Sequence, residues 1–286
     1  MSRQTIELPQ GEITYRDDGE GPVLLFSHGF LVDSELWEGL AQLLVAKGFR
    51  CVRPDSPLGS HRIPMNPGAD LSPPGVAELL AGMIKALELD QVTVIGNDSG
   101  GAIAQMLAAS HPDLIASLVL TNADALEVYP PWPFFWLPHL GRVPGGINAL
   151  SRAMQLRLNR IVTYRMLTVD PIPDGQLKQW VEPIRRDPGI REDVRKLLVG
   201  FEKHQTIDAA DRLAAMDLPV LMVWGDRDRF FKIDLAHRLA AKLRNATVVP
   251  IEGGRTFVML DEPELVANRI AEFVSEHVVG AEQAAA

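Results

Sequence analysis

Cysteine is nearly absent: Cys51 is the single one in 286 residues. An intrachain disulfide is therefore excluded, and a reducing compartment is the simplest setting. Cys51 sits in the strand-like run Phe49-Arg50-Cys51-Val52 and reads as a small buried hydrophobe. Basic residues are also scarce. The chain has 28 Lys and Arg against 37 Asp and Glu, a formal net charge of −9. That balance argues against nucleic acid and anionic membranes as partners, since both select basic patches. No apolar run reaches the ~18 residues of a membrane span. The opening MSRQTIELPQ lacks the apolar core of a signal peptide. No internal repeat and no low-complexity tract interrupts the chain. A soluble cytoplasmic protein is expected.

Hydrophobic residues make up 47% of the chain and charged residues 23%, enough apolar material for one large α/β domain or two smaller ones. The most informative stretch is Val94-Ile95-Gly96-Asn97-Asp98-Ser99-Gly100-Gly101. It reads as a buried strand, a tight turn and a helix in the pattern G-x-nucleophile-x-G, with Asp98 at the nucleophile position. The glycines allow the sharp bend and let the helix approach the sheet. Asp98 is thereby pushed out at the strand's end, before a helix N-terminus whose free N–H groups stabilise a carboxylate. The β-branched run 91–95 before the turn suits a parallel strand. The run 102–109 after it is strongly helical and stops at His111-Pro112. Two other readings stand beside this one. Asp98 can serve as a helix cap. Shifting the frame to Asn97-x-Ser99-x-Gly101 makes Ser99 the nucleophile instead.

Strands and helices alternate along the chain, which favours a parallel sheet covered on both faces. Strands are expected at 5–8 and 13–16 as an opening hairpin, then at 23–27, 50–53, 91–95 and 115–121. Helices are expected at 35–47, 73–87 and after the elbow. From about 125 to 207 the pattern turns helical and interrupted. The run Tyr129-Pro130-Pro131-Trp132-Pro133-Phe134-Phe135-Trp136-Leu137-Pro138 is too rich in proline for a regular element. Alternation then resumes with strands at 220–224 and 247–251, helices at 234–243 and 264–278, and a frayed tail over 280–286.

Two further motifs accompany the elbow. Ser27-His28-Gly29-Phe30 follows the strand at 23–27, and Val223-Trp224-Gly225-Asp226-Arg227-Asp228 follows a late strand. Together the three resemble the α/β-hydrolase superfamily over nearly the whole chain. The elbow most resembles the branch with an aspartate nucleophile, which includes haloalkane dehalogenases and epoxide hydrolases. The resemblance implies an α/β-hydrolase fold with a mostly parallel sheet flanked by helices. Residues 1–124 and 208–286 would form the core, and 125–207 an inserted helical cap. In that branch the carboxylate attacks an electrophilic carbon to form an ester, a histidine activates water to cleave it, and an acid orients the histidine. The resemblance makes Asp98 the nucleophile and Asp228 the acid, with Asp124 the alternative acid after the preceding strand. It makes the N–H groups of Phe30 and Ser99 the oxyanion donors. His28 is expected to be structural, bonded behind its loop.

The histidine position departs from this pattern. The loop after the last strand reads Gly253-Gly254-Arg255-Thr256-Phe257, and Thr256 stands where the superfamily carries histidine. Threonine is no general base near neutral pH. His61, in an irregular loop at the C-terminal end of a strand, is the best substitute. With Arg62 it would orient a carboxylate or enolate. His204 is a second candidate. The dehalogenase halide clamp is also incomplete, because Ser99 and Phe30 stand where tryptophan and asparagine are usual; Trp37, Trp132 and Trp136 are candidate pocket aromatics. Tyr129 and Tyr164 lie in the insertion, where epoxide hydrolases carry donor tyrosines.

The expected function is cofactor-free hydrolysis of a C–O or C–X bond in a small hydrophobic molecule, at an apolar pocket between cap and sheet. No metal is expected, and the oligomeric state is left open, a homodimer included. Two alternatives remain: a lyase or isomerase using Asp98 as acid and base, and a non-catalytic binder on a hydrolase scaffold.

Overall fold

The computed structural model describes residues 3–279. Eight strands form one sheet: β1 (Gln4–Leu8), β2 (Gly11–Asp18), β3 (Val23–Ser27), β4 (Arg50–Pro54), β5 (Val92–Asp98), β6 (Ile115–Ala123), β7 (Val220–Gly225) and β8 (Ala246–Ile251). Their order is β1-β2-β4-β3-β5-β6-β7-β8. β1 and β2 pair antiparallel, as does β2 with β4, and every later pairing is parallel. β3 and β7 are almost wholly apolar and β5 is buried from Val92 to Asn97, because helices cover both faces of the sheet. The parallel strands all deliver their C-terminal ends to one edge. β5 is central, so its last residue, Asp98, emerges in the middle of that edge.

The core helices are α1 (Glu38–Ala46), α2 (Pro73–Ala86), α3 (Ser99–Ser110), α10 (Ile233–Ala240), α11 (Val258–Asp261) and α12 (Pro263–Val274). Between β6 and β7 lie α4 (Leu137–Arg142), α5 (Gly146–Gln155), α6 (Arg157–Arg165), α7 (Asp174–Arg186), α8 (Pro188–Val199) and α9 (His204–Ala214). The helix that crosses the expected boundary at 207, α9, packs against α3 of the core. The proline-rich run is more ordered than its composition predicts. Phe134–Trp136 forms a 3-10 turn, and α4 starts at Leu137 with Pro138 in its first turn. Proline is tolerated there because the first N–H groups of a helix have no intrahelical acceptor. The expected frayed tail, 280–286, lies outside the described residues. Among the described residues no helix is long and apolar enough to cross a membrane.

Polar contacts join the inserted helices to the core. Trp180 Nε1 of α7 donates to Asp33 Oδ1 at 2.9 Å, and Ser60 Oγ donates to the Trp180 carbonyl at 2.6 Å. Tyr164 Oη of α6 donates to the Leu31 carbonyl at 2.5 Å. Each partner is buried, so these bonds fix the insertion over the edge that carries Asp98.

Candidate active site

Asp98 ends β5 with φ 53° and ψ −132°. A non-glycine residue at positive φ is strained, and such strain persists only where its surroundings enforce it. Here α3 is pressed against the turn that follows β3. A Cβ on Gly100 would collide with the carbonyls of Ser27 and His28. Asp98 makes no side-chain capping bond to α3, so the capping reading does not describe this residue. Its carboxylate instead faces Gly29, where an added Cβ would run into Asp98 Oδ2. Gly29→Ala should therefore displace the carboxylate and lower turnover severely, while circular dichroism reports an intact fold. Unchanged kinetics in that variant would place the reacting group elsewhere.

The backbone N–H groups of Phe30 and Ser99 face the Asp98 carboxylate. Burial pushes its pKa up to about 7; those two donors pull it down, and the nearby Asp228 charge pushes it up. Asp98 keeps an open side, which faces a cavity of about 160 Å³. Phe30, Leu31 and Ser99 form its floor, and Pro131, Phe134, Trp136, Met154 and Tyr164 of the insertion are among its walls. Asp98 is its only ionisable carboxylate among these lining groups, and the rest of the wall is overwhelmingly apolar. Wider depressions on the surface, beside Gly145 and beside Arg186, do not reach Asp98.

Asp228 lies behind this carboxylate. Phe230 N–H and Phe231 N–H donate to its Oδ1 at 2.7 and 3.2 Å, and Asn122 Nδ2 donates to Oδ2 at 2.8 Å. Burial nevertheless raises its pKa to about 6, against the lowering effect of these donors. Thr256 is fully buried and close enough to Asp228 to lower that pKa, yet its hydroxyl has no partner at hydrogen-bonding geometry. Asp124 is the third carboxyl of the group. It is buried with neither oxygen at hydrogen-bonding geometry to a partner; burial and then the Asp98 charge push its pKa well up, against the lowering effect of the Ser99 hydroxyl.

None of the seven histidines lines the cavity. His28 is buried behind its loop. Ser56 N–H donates to its Nε2 at 2.9 Å, which leaves the Nδ1 proton for the Gly29 carbonyl at 3.0 Å. His61, expected to reach toward Asp98, is held elsewhere. Its Nδ1 accepts from Gly59 N–H at 3.4 Å, and its Nε2 meets Asp193 Oδ2 of α8 at 3.1 Å. It joins loop to insertion and does not approach the cavity. His61→Ala should cost about 1–3 kcal/mol of stability by stripping a partner from buried Asp193. The chemical step should be unaffected, and a rate loss at constant stability would return His61 to the site. Arg62 is likewise displaced, its guanidinium 3.3 Å from Asp33 Oδ2. His204 is exposed beside Glu202 and Asp208. Of the candidate aromatics, Trp136 lines the cavity, Trp132 is exposed, and Trp37 is packed in the core against Phe26.

Two asparagines that motif reading passed over organise the site. Asn97 Nδ2 donates to the carbonyls of Thr121 and Thr256 at 2.6 and 2.7 Å, tying the elbow to β6 and to the loop after β8. Asn122 joins Asp228 to β7, because its Oδ1 also accepts from Gly225 N–H at 2.7 Å. Its φ of 35° lies in the left-handed region, which asparagine tolerates but which the sequence does not reveal.

A sequence profile for the alpha/beta hydrolase fold matches residues 22–263. The chain belongs to the α/β hydrolase fold family. It is 29% identical over 244 residues to a 2-hydroxy-6-oxononadienedioate/2-hydroxy-6-oxononatrienedioate hydrolase of Paraburkholderia xenovorans, covering 82% of this chain and 81% of that one. Among solved structures it is similar to a haloalkane dehalogenase of Bradyrhizobium elkani, with a TM-score of 0.80, 19% identity, and coverage of 98% and 99%. It is also similar to an epoxide hydrolase, with a TM-score of 0.78, 19% identity, and coverage of 96% and 99%. At that identity the two structures speak for the α/β hydrolase fold alone. The match to the alpha/beta hydrolase fold agrees with the sheet order described above.

Proposed function

We propose that this α/β hydrolase fold protein hydrolyses a C–O or C–X bond in a small apolar electrophile, with Asp98 as nucleophile and Asp228 as the acid-site carboxylate. The observation that carries the reading is the placement of Asp98: a carboxylate on a strained turn, faced by two backbone N–H groups, open to an apolar cavity. One carboxylate oxygen attacks carbon, and the C–X or C–O bond breaks with its electron pair leaving on the halide or oxygen. The product is an alkyl ester of Asp98. Its carbonyl oxygen stays on the Phe30 and Ser99 N–H groups, which oppose the negative charge that grows there when water attacks. Asp228, with a pKa of about 6, accepts the water proton. Collapse then expels the alkoxide, which takes the proton back from Asp228 and leaves as the alcohol, and Asp98, freed as the acid, loses its proton to solvent. Asp228 already accepts from three donors and has no imidazole between it and the water, so ester hydrolysis is the slow step.

The cavity bounds the substrate. A void of ~150 Å³ with apolar walls holds a benzene-sized molecule, which matches the volume beside Asp98. A second reading has one observation in its favour. A carboxyl with a pKa of about 7 is suited to moving protons, as a lyase or isomerase would require. Intact-mass measurement after incubation with terminal epoxides and short alkyl halides distinguishes the two. The nucleophilic reading expects an adduct of substrate mass on the peptide containing Asp98, absent from Asp98→Asn. Turnover without adduct at any time point favours proton transfer. Neither adduct nor turnover across both panels removes the proposal.

A further inference from the structure

The exposed apolar side chains are concentrated in one part of the chain. Trp132 is 78% exposed, Leu158 72%, Leu156 61%, Phe135 54% and Val162 52%. Outside 132–169 the large exposed hydrophobics among the described residues are Ile207, Leu260 and Leu265, each only 37–38% exposed. The concentrated group borders the cavity. On α6, Leu158 and Val162 are one turn apart and face outward, while Thr163 and Tyr164 of the same helix line the cavity. On the other wall Phe134 and Trp136 line it, and Trp132 and Phe135 point out.

Charge follows the same boundary. Residues 128–169 contain five arginines and no lysine, aspartate or glutamate, within a chain of net charge −9. Arg160 is buried against Asp174 and Arg157 also reaches that carboxylate, 3.5 Å away, while Arg142, Arg152 and Arg165 are exposed. The overall acidity, which argues against anionic membranes for the chain as a whole, therefore conceals a local reversal at the face around the cavity.

We infer that this face docks on an anionic lipid bilayer, with Trp132, Phe135, Leu158 and Val162 entering the headgroup boundary. Exposed tryptophan and aliphatic side chains interleaved with arginine are the chemistry that partitions into that layer. Anionic headgroups complement the arginines. A second copy of the chain fits less well, because a two-fold contact sets this arginine-bearing face against itself. Apolar molecules dissolved in the bilayer would then enter the cavity without crossing water. The inference rests on the surface and holds whichever reaction Asp98 performs.

Flotation with vesicles tests it, using phosphatidylcholine alone and phosphatidylcholine with three-tenths phosphatidylglycerol. Partition onto the anionic vesicles should be at least about tenfold stronger, and high salt should weaken it. Leu158→Glu and Trp132→Ala should each reduce that partition several-fold, and Arg152→Glu with Arg165→Glu should abolish the preference for the anionic lipid. Thermal melts establish that the variants are folded. Should any variant fail to fold, quenching of wild-type tryptophan fluorescence by brominated lipid supplies the same result. Failure to float with either lipid overturns the inference, and equal partition onto both overturns the anionic assignment. Sedimentation showing a dimer that Trp132→Ala dissociates would give the face to a second copy and overturn it as well.

Discussion

Asp98→Asn should lower turnover by at least about 10²–10⁴-fold and at the same time make the protein more stable at neutral pH. The two effects have one origin. The folded-state pKa of Asp98 is raised from 3.8 to about 7. Between those values the native state binds more protons than the unfolded chain, so stability falls as pH rises through this window. The contribution is fully present below the unfolded value and is lost once pH passes the folded one. A tenfold change in a protonation equilibrium is worth about 1.4 kcal/mol, so ionised Asp98 costs the fold on the order of a few kcal/mol at pH 8. Asparagine has the same shape, can accept from the same N–H groups and never ionises. The wild type should lose several degrees in Tm between pH 5 and pH 8, and the asparagine variant should lose less. Asp228, raised to about 6, adds to the wild-type slope in the same direction. Activity runs the other way. Attack requires the carboxylate, so kcat/KM should rise with pH toward a plateau above about 7. A wild type equally stable at both pH values, with a flat rate profile, would mean that Asp98 titrates as an ordinary surface carboxyl.

Thr256→His should change the kinetics in the opposite sense. Thr256 is buried in the loop after β8, and its hydroxyl acts on Asp228 without a hydrogen-bonding partner of its own. An imidazole introduced there would sit beside the carboxylate that can orient it and accept a water proton more readily. If ester hydrolysis is slow for want of such a base, turnover should rise by about 10²-fold or more, and the adduct on Asp98 should disappear. The larger side chain should cost about 1–3 kcal/mol through overpacking, visible in a melt. Unchanged turnover in a folded Thr256→His variant, with the adduct persisting, would show that ester hydrolysis is not limited by that position.

Much of the fold was legible because local signals and topology agree. β-branched runs such as 92–95 fall where buried parallel strands need them, and the glycines of the elbow stand where α3 touches the turn after β3. The elbow also placed Asp98, since a strand–turn–helix geometry leaves its central side chain few directions. His61 was not legible. Its partner Asp193 is 132 residues away in an inserted helix, and nothing local to His61 encodes that pairing. Arg62 was drawn away by Asp33 in the same manner. The roles of Asn97 and Asn122 depend on loops brought together from distant strands, so their sequence neighbours carried no trace of them. The basic face was hidden for a different reason: a net charge averages over the chain, whereas a surface presents charge locally.

The most direct test of the central claim is a single turnover in water enriched in oxygen-18, followed by mass mapping of the peptide that contains Asp98. The proposed sequence sends water to the ester carbonyl, so one heavy oxygen should appear in the Asp98 carboxylate and none in the alcohol from that first turnover. Heavy oxygen in the product, with Asp98 unlabelled, would show that water attacks the substrate directly and that Asp98 is no nucleophile.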